Sequence, residues 1–184
     1  MPFAIALLLI RGGGTPFPSA IVTTLQAAGV MLTVFGELIR LWAVRHIGAV
    51  SRTRSDRLGP LVATGPFALT RNPLYIGNIL LWCGFALIAR LSWMAPVTAL
   101  LLGAEYSAIV GWEEHLLASR YGDRYREYAA HVPRWIPSLV PGFGRGAAHP
   151  GATRHSWKHT LFSERGTLIA IAAGYLLLWV KLRF

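Results

Sequence analysis

Residues 19–44 read SAIVTTLQAAGVMLTVFGELIRLWAV, an almost continuously apolar stretch, and its length decides the fold. At ~1.5 Å per residue a helix of this length crosses a hydrocarbon core of ~30 Å, so Ser19 to Val44 is expected to span a membrane. A second apolar block, Leu74 to Trp112, is too long for one span and is broken at Arg90, Ser92 and Pro96. It predicts a helical hairpin turning near Arg90 to Trp93. The last candidate, Thr167 to Val180, ends in Lys181 and Arg183 and is short for a full crossing. Phe3 to Ile10 is apolar but lacks the basic start and small-residue cleavage site of a secretory signal, so it is expected to be retained. It reads as an interfacial segment or a fifth helix, with Gly12 to Gly14, Pro16 and Pro18 marking the break after it. The expected fold is an all-α polytopic membrane helical bundle of four transmembrane helices, or five if Phe3 to Ile10 also crosses.

Composition agrees. Of 184 residues, 54% are hydrophobic and 14% charged, with mean hydropathy +0.46, which excludes an ordinary soluble domain. A net charge of +10 suits anionic lipid, nucleic acid or phosphate, and the apolar content selects lipid, so no nucleic-acid partner is expected. Cys83 stands alone in an apolar run, which excludes an internal disulfide and a cysteine zinc site and leaves a small buried hydrophobe. Arg45, Arg52, Arg54, Arg57 and Arg71 fill one loop; Arg120, Arg124, Arg126, Arg134, Arg145, Arg154, Lys158 and Arg165 fall between Glu113 and Arg165. Basic loops stay cytoplasmic, and the hairpin between them keeps both on one face. The chain reads as one domain, 1–184, with core motifs in 40–137, a linker over 138–165 that is rich in Pro and Gly at its start, and a C-terminal span at 167–180.

Ionisable groups at membrane depth are functional candidates because an unpaired charge in lipid costs at least ~2.5 kcal/mol. Glu37 and Arg40, three apart on one helix face, read most simply as a self-neutralising pair, with a catalytic role as the alternative. Glu105 either lines the bundle interior or bonds a neighbouring helix. The stretch LVATGPFALTRNPLYIG, Leu61 to Gly77, places Gly65-Pro66 and Asn72-Pro73 just before a span, which predicts a shaped loop. Asn72 takes the capping position and Pro73 the first turn, so this helix start, with Arg71 beside it, either receives an anionic ligand group or is an ordinary cap with an arginine at headgroup level.

After the hairpin come Glu113-Glu114, then Tyr121, Tyr125 and Tyr128 at helical spacing, then Arg134-Trp135. Adjacent acids on a helix point ~100° apart, so one of the two at most faces a given ligand. The tyrosines read as an interfacial anchor. His155 and His159 are four apart without a nearby carboxylate, which gives surface residues and no expected metal.

These two blocks, LVATGPFALTRNPLYIG and EEHLLASRYGDRYREYAAHVPRWIP, in this order around a membrane hairpin, resemble the isoprenylcysteine carboxyl methyltransferase and phospholipid methyltransferase family of integral membrane enzymes; the likeness covers roughly Arg40 to Pro137. The resemblance implies S-adenosylmethionine held at the cytoplasmic membrane surface, without a Rossmann fold, beside a lipid-facing tunnel for an apolar acceptor. It puts cofactor contacts on Gly59, Pro60, Leu61, Val62, Phe67, Asn72, Pro73, Leu74, Tyr75 and Glu113. The helix start and Arg71 then suit the cofactor's carboxylate, Glu113 its ammonium, and Phe67 and Tyr75 the adenosine and the sulfonium. Many members have His where this chain has Asn72, and an amide keeps the hydrogen bond. Prenylcysteine-modifying members carry an Arg where this chain has Ile109, four residues before Glu113, so an amine, hydroxyl or other lipid acceptor gains ground over a prenylcysteine carboxylate. Glu114 is then the candidate proton acceptor and Arg134 the candidate headgroup holder. The integral membrane protein so described belongs in a bacterial inner membrane or an endomembrane.

Two other functions compete. Membrane sterol and steroid reductases look similar in the same blocks and use NADPH, whose 2′-phosphate Arg52, Arg54 and Arg57 would suit. A non-enzymatic scaffold or channel subunit predicts polar residues along a pore, whereas the polar groups here gather at one membrane face.

Overall fold

The computed structural model describes residues 17–48, 61–138 and 155–183. Its elements are α1 (Ser19–Ile47), a short 3₁₀ turn (Gly65–Ala68), α2 (Pro73–Ile88), α3 (Met94–Tyr121), α4 (Asp123–His131) and α5 (Trp157–Arg183), with no strand among the described residues. It is a helical membrane bundle. By contact the described residues divide into two compact units, one of residues 17–38, 77–104 and 165–183 and the other of residues 39–48, 61–76, 105–138 and 155–164.

In the first unit α1 and α2 meet backbone to backbone. A Cβ on Gly36 would lie 2.7 Å from the Gly77 carbonyl oxygen, and one on Gly84 would lie 2.6 Å from that of Gly29. Such close approach is the means by which membrane helices gain packing energy where burial from water offers none. Thr33 donates to the Gly29 carbonyl at 2.8 Å and Gln26 to that of Ile88 at 3.2 Å, so these polar groups are satisfied locally. Phe85, Ile88, Leu91, Met94 and Leu178 form the core. Gly84→Val is expected to lower stability by at least ~2 kcal/mol, because the side chain meets backbone that has nowhere to move; thermal unfolding in detergent checks it.

The hairpin turns where expected. Leu91 N–H bonds the Ala86 carbonyl at 3.0 Å and Arg90 N–H that of Leu87 at 3.1 Å, a Schellman ending with Arg90 at φ 60° in the place glycine usually takes. Met31 and Leu100, 72% and 74% exposed, lead a series of uncovered large apolar side chains, as the lipid-facing surface of a membrane bundle requires.

Span lengths differ from expectation. Three described helices, α1, α3 and α5, are long and apolar enough to cross a membrane, while α2, with 16 residues, is the short one. The sequence had suggested the reverse for the last span, which begins at Trp157 and extends to Arg183, ten residues before the expected start and three past the expected end. Residues 157–165, expected as linker, are therefore helical. Glu164 and Arg165 had masked this; Glu164, 0% exposed, is tolerated because it forms an ion pair of 2.9 Å with the buried Arg40. Phe3 to Ile10 lies outside the described residues.

Candidate functional site

The site belongs to the second unit and starts from its loop. Pro66 fixes the 3₁₀ turn, and Gly65, at φ 62°, is required twice over: by its backbone, and because a Cβ there would lie 2.5 Å from the His46 ring. Beyond the turn the loop is laced to the segment after α4. Arg71 N–H donates to the Pro133 carbonyl and Ser138 N–H to that of Leu69, each at 2.9 Å, and the Asn72 amide donates to the Arg134 carbonyl at 3.0 Å. Thr70 Oγ1 donates to the carbonyls of Arg134 and Trp135 at 3.2 and 3.3 Å. The shaped loop that Gly65-Pro66 and Asn72-Pro73 predicted is present, and Pro73 begins α2 as expected. Asn72 stands just before α2, where its carbonyl accepts from Ile76 N–H at 3.2 Å, and its side chain ties the two segments together.

Helix α4 corrects one expectation. Tyr125 and Tyr128 do not anchor the protein at the interface; both are buried, packed with Ala63 and Val132. Three residues apart, they share one helix face, and that face turns inward because the Tyr128 hydroxyl donates to the Phe67 carbonyl at 2.8 Å. Burial raises the Tyr128 hydroxyl pKa far above its ordinary value; it raises that of Tyr125 too, reinforced by the Glu114 charge and opposed by a hydrogen bond from Arg71. Tyr128→Phe leaves the Phe67 carbonyl without its donor and is expected to cost ~1–3 kcal/mol, read as a lowered melting temperature with the fold retained.

Two carboxylates on α3 then divide the work. The Tyr75 hydroxyl donates to Glu113 Oε1 at 2.9 Å, while the Tyr75 ring packs on Tyr106 with centroids 4.6 Å apart. Glu114 turns to the cations: Arg71 Nη1 lies 3.1 Å from its Oε1, Arg134 Nε bonds the same oxygen at 3.1 Å, and Arg134 Nη2 bonds Oε2. The bond to Glu114 raises the Arg134 pKa further above its ordinary value. Both Glu114 oxygens are engaged by guanidinium groups, so Glu114 holds Arg71 and Arg134 in place.

Of the residues singled out from sequence, Arg71, Asn72, Tyr75, Glu113, Glu114 and Arg134 are thus brought into two linked sets of contacts. Phe67 and Val62 lie in a small core with Ala43, flanked by Leu74, and Leu61 packs beside Tyr125 and Tyr128. Pro73 is fully buried. Gly59 and Pro60, with Arg52, Arg54 and Arg57, lie outside the described residues. Glu105 is exposed on α3, and Ile109 is half-buried one turn before Glu113. Sequence reasoning missed Tyr125, Tyr128 and Glu164 as structural members; the spacing of the tyrosines was visible, but not which way their face turned.

A sequence model described as phospholipid methyltransferase matches residues 24–124, more than half of the chain. The chain belongs to that family. Within this phospholipid methyltransferase family member the matched range takes in Arg71, Tyr75, Glu113 and Glu114 and stops before Arg134. The chain is 32% identical over 140 residues to the cobalt-zinc-cadmium resistance protein CzcN of Cupriavidus metallidurans, covering 74% of this chain and 60% of that one. It is 30% identical over 121 residues to the nickel-cobalt-cadmium resistance protein NccN of Alcaligenes xylosoxydans xylosoxydans, covering 66% and 52%. To the protein-S-isoprenylcysteine O-methyltransferase B of Arabidopsis thaliana it is 26% identical over 113 residues, covering 59% and 57%. The chain thus spans between half and two thirds of the length of these relatives. No solved structure is a significant match.

Proposed function

We propose that this family member transfers a methyl group from S-adenosylmethionine to a lipid or isoprenoid-type acceptor at the cytoplasmic face of the membrane. The observation that carries the reading is the division of labour on α3, with Glu113 on Tyr75 and Glu114 on Arg71 and Arg134. Family membership and the basic loops support it. The residues present fit the cofactor's chemistry: Glu113 offers a carboxylate, already oriented by a hydroxyl, for an ammonium, and Tyr75 and Tyr106 offer aromatic faces for a sulfonium. When bound, the cofactor supplies an electrophilic methyl group, which leaves the protein to position the acceptor and exclude water. Arg71 stands at the start of α2 for the cofactor's carboxylate, with Glu114 fixing its direction.

On the acceptor side, Arg134 is exposed at the rim, where it can hold a headgroup anion. Glu114, expected from sequence to take the acceptor's proton, does so only if a guanidinium withdraws. A neutral lipid amine suits this arrangement, since its lone pair would take the methyl carbon as the carbon–sulfur bond breaks and the thioether S-adenosylhomocysteine leaves, and the resulting ammonium would release its proton to water without a protein base. The apolar Ile109 fits the same choice, offering nothing to a prenylcysteine carboxylate. The test is transfer of labelled methyl from S-adenosylmethionine to total membrane lipid by purified protein in detergent. Label in the lipid fraction is expected, with Ile109→Arg adding activity on a prenylcysteine analogue; no label anywhere, from folded protein, refutes the reading.

A further inference from the structure

Away from this site, still within the second unit, the C-terminal end of α1 and the first turns of α5 carry a basic tip on an apolar flank. His155 N–H donates to the Arg45 carbonyl at 2.9 Å, and the Arg45 guanidinium lies 4.3 Å over the ring of Trp157. The imidazoles of His155 and His159 stack 5.4 Å apart. Lys158 is exposed in the first turn of α5, which holds no acidic residue. Among the described residues neither Arg45 nor Lys158 has a carboxylate partner, and Arg45 Nε is buried without a hydrogen-bond partner. The nearby acid on α5, Glu164, is bound to Arg40. Next to this cationic tip the large side chains Trp42, Trp157, Leu161 and Phe162 are uncovered.

We propose that this surface docks an anionic phospholipid, its phosphate on Arg45 and the first turn of α5 and its acyl chains along the exposed apolar flank. Charge complementarity selects the headgroup, because uncompensated guanidinium and ammonium groups at the ends of membrane-length helices attract anionic lipid. The apolar flank selects a lipid over a free anion, since inorganic phosphate has no use for Trp42, Leu161 and Phe162. The surface shares no residue with those assigned to methyl transfer and does not depend on that reading.

Protein is reconstituted in nanodiscs of phosphatidylcholine containing a minor share of phosphatidylglycerol, transferred to phosphatidylcholine alone, and the retained phosphatidylglycerol is measured by mass spectrometry. Wild type is expected to retain it. Arg45→Ala is expected to lower its affinity about tenfold, the loss for one charge-assisted contact. Lys158→Glu, at an exposed position that leaves folding unaffected, is expected to lose several-fold, and Arg126→Ala, whose side chain bonds Asp123, is expected to match wild type. Equal retention by wild type and Lys158→Glu overturns the proposal, as does equal loss in Arg126→Ala. Displacement by inorganic phosphate as effective as by phosphatidylglycerol would make the ligand a soluble anion and overturn the lipid assignment.

Discussion

Glu113→Ala is expected to weaken binding of S-adenosylhomocysteine about 100-fold while leaving the protein folded in detergent. The carboxylate is the negative group oriented by Tyr75, so under the proposed function its loss would leave the cofactor's ammonium desolvated and unpaired, and truncating one partner of such a pair costs ~2–5 kcal/mol. Tyr75→Phe keeps the ring on Tyr106 but removes the hydroxyl that aims Glu113, and is expected to cost roughly tenfold, one hydrogen bond to a charged group. Calorimetric titration reads both, with melting temperature as the folding control. Unchanged affinity in both variants would refute the assignment of Glu113.

Breaking the buried ion pair is expected to give the largest stability effect in the chain. Arg40 and Glu164 lie 2.9 Å apart with side chains 10% and 0% exposed, so removing either takes from the other a partner that water cannot replace. Arg40→Ala or Glu164→Ala should each cost ~3–5 kcal/mol, whereas Arg40→Met combined with Glu164→Leu should cost clearly less than the sum of the two, because the desolvation of both charges disappears with them. Thermal unfolding of the two single variants and the double variant measures the coupling. Additive losses in the double variant would show that the pair does not hold the two helices as described.

Much of the fold was legible because membrane spans are written in length and apolarity, which need no partner to be recognised. Ser19 to Val44 and the hairpin at Arg90 to Trp93 were of this kind. The extent of α5 was not, because Glu164 and Arg165 look like the end of a span until the partner of Glu164 is known, and that partner lies 124 residues away on α1. The same limit governed α4. Periodicity put Tyr125 and Tyr128 on one face, yet only the loop from Leu61 to Asn72, packed against that face, makes it an inner one. In the site, the backbone punctuation at Gly65-Pro66 and Asn72-Pro73 announced a fixed loop, and the adjacency of Glu113 and Glu114 announced two directions. That Glu114 would serve two arginines depended on the return of residues 133–138 to the loop, which nothing local to either segment reveals.

The most direct test of the central claim is calorimetric titration of the detergent-purified protein with S-adenosylhomocysteine and, separately, with NADPH. Micromolar binding of S-adenosylhomocysteine and none of NADPH is the predicted result. Binding of NADPH alone would contradict the methyltransferase reading and move the chain's function to reduction, and binding of neither by folded protein would contradict any cofactor site on Tyr75 and Glu113.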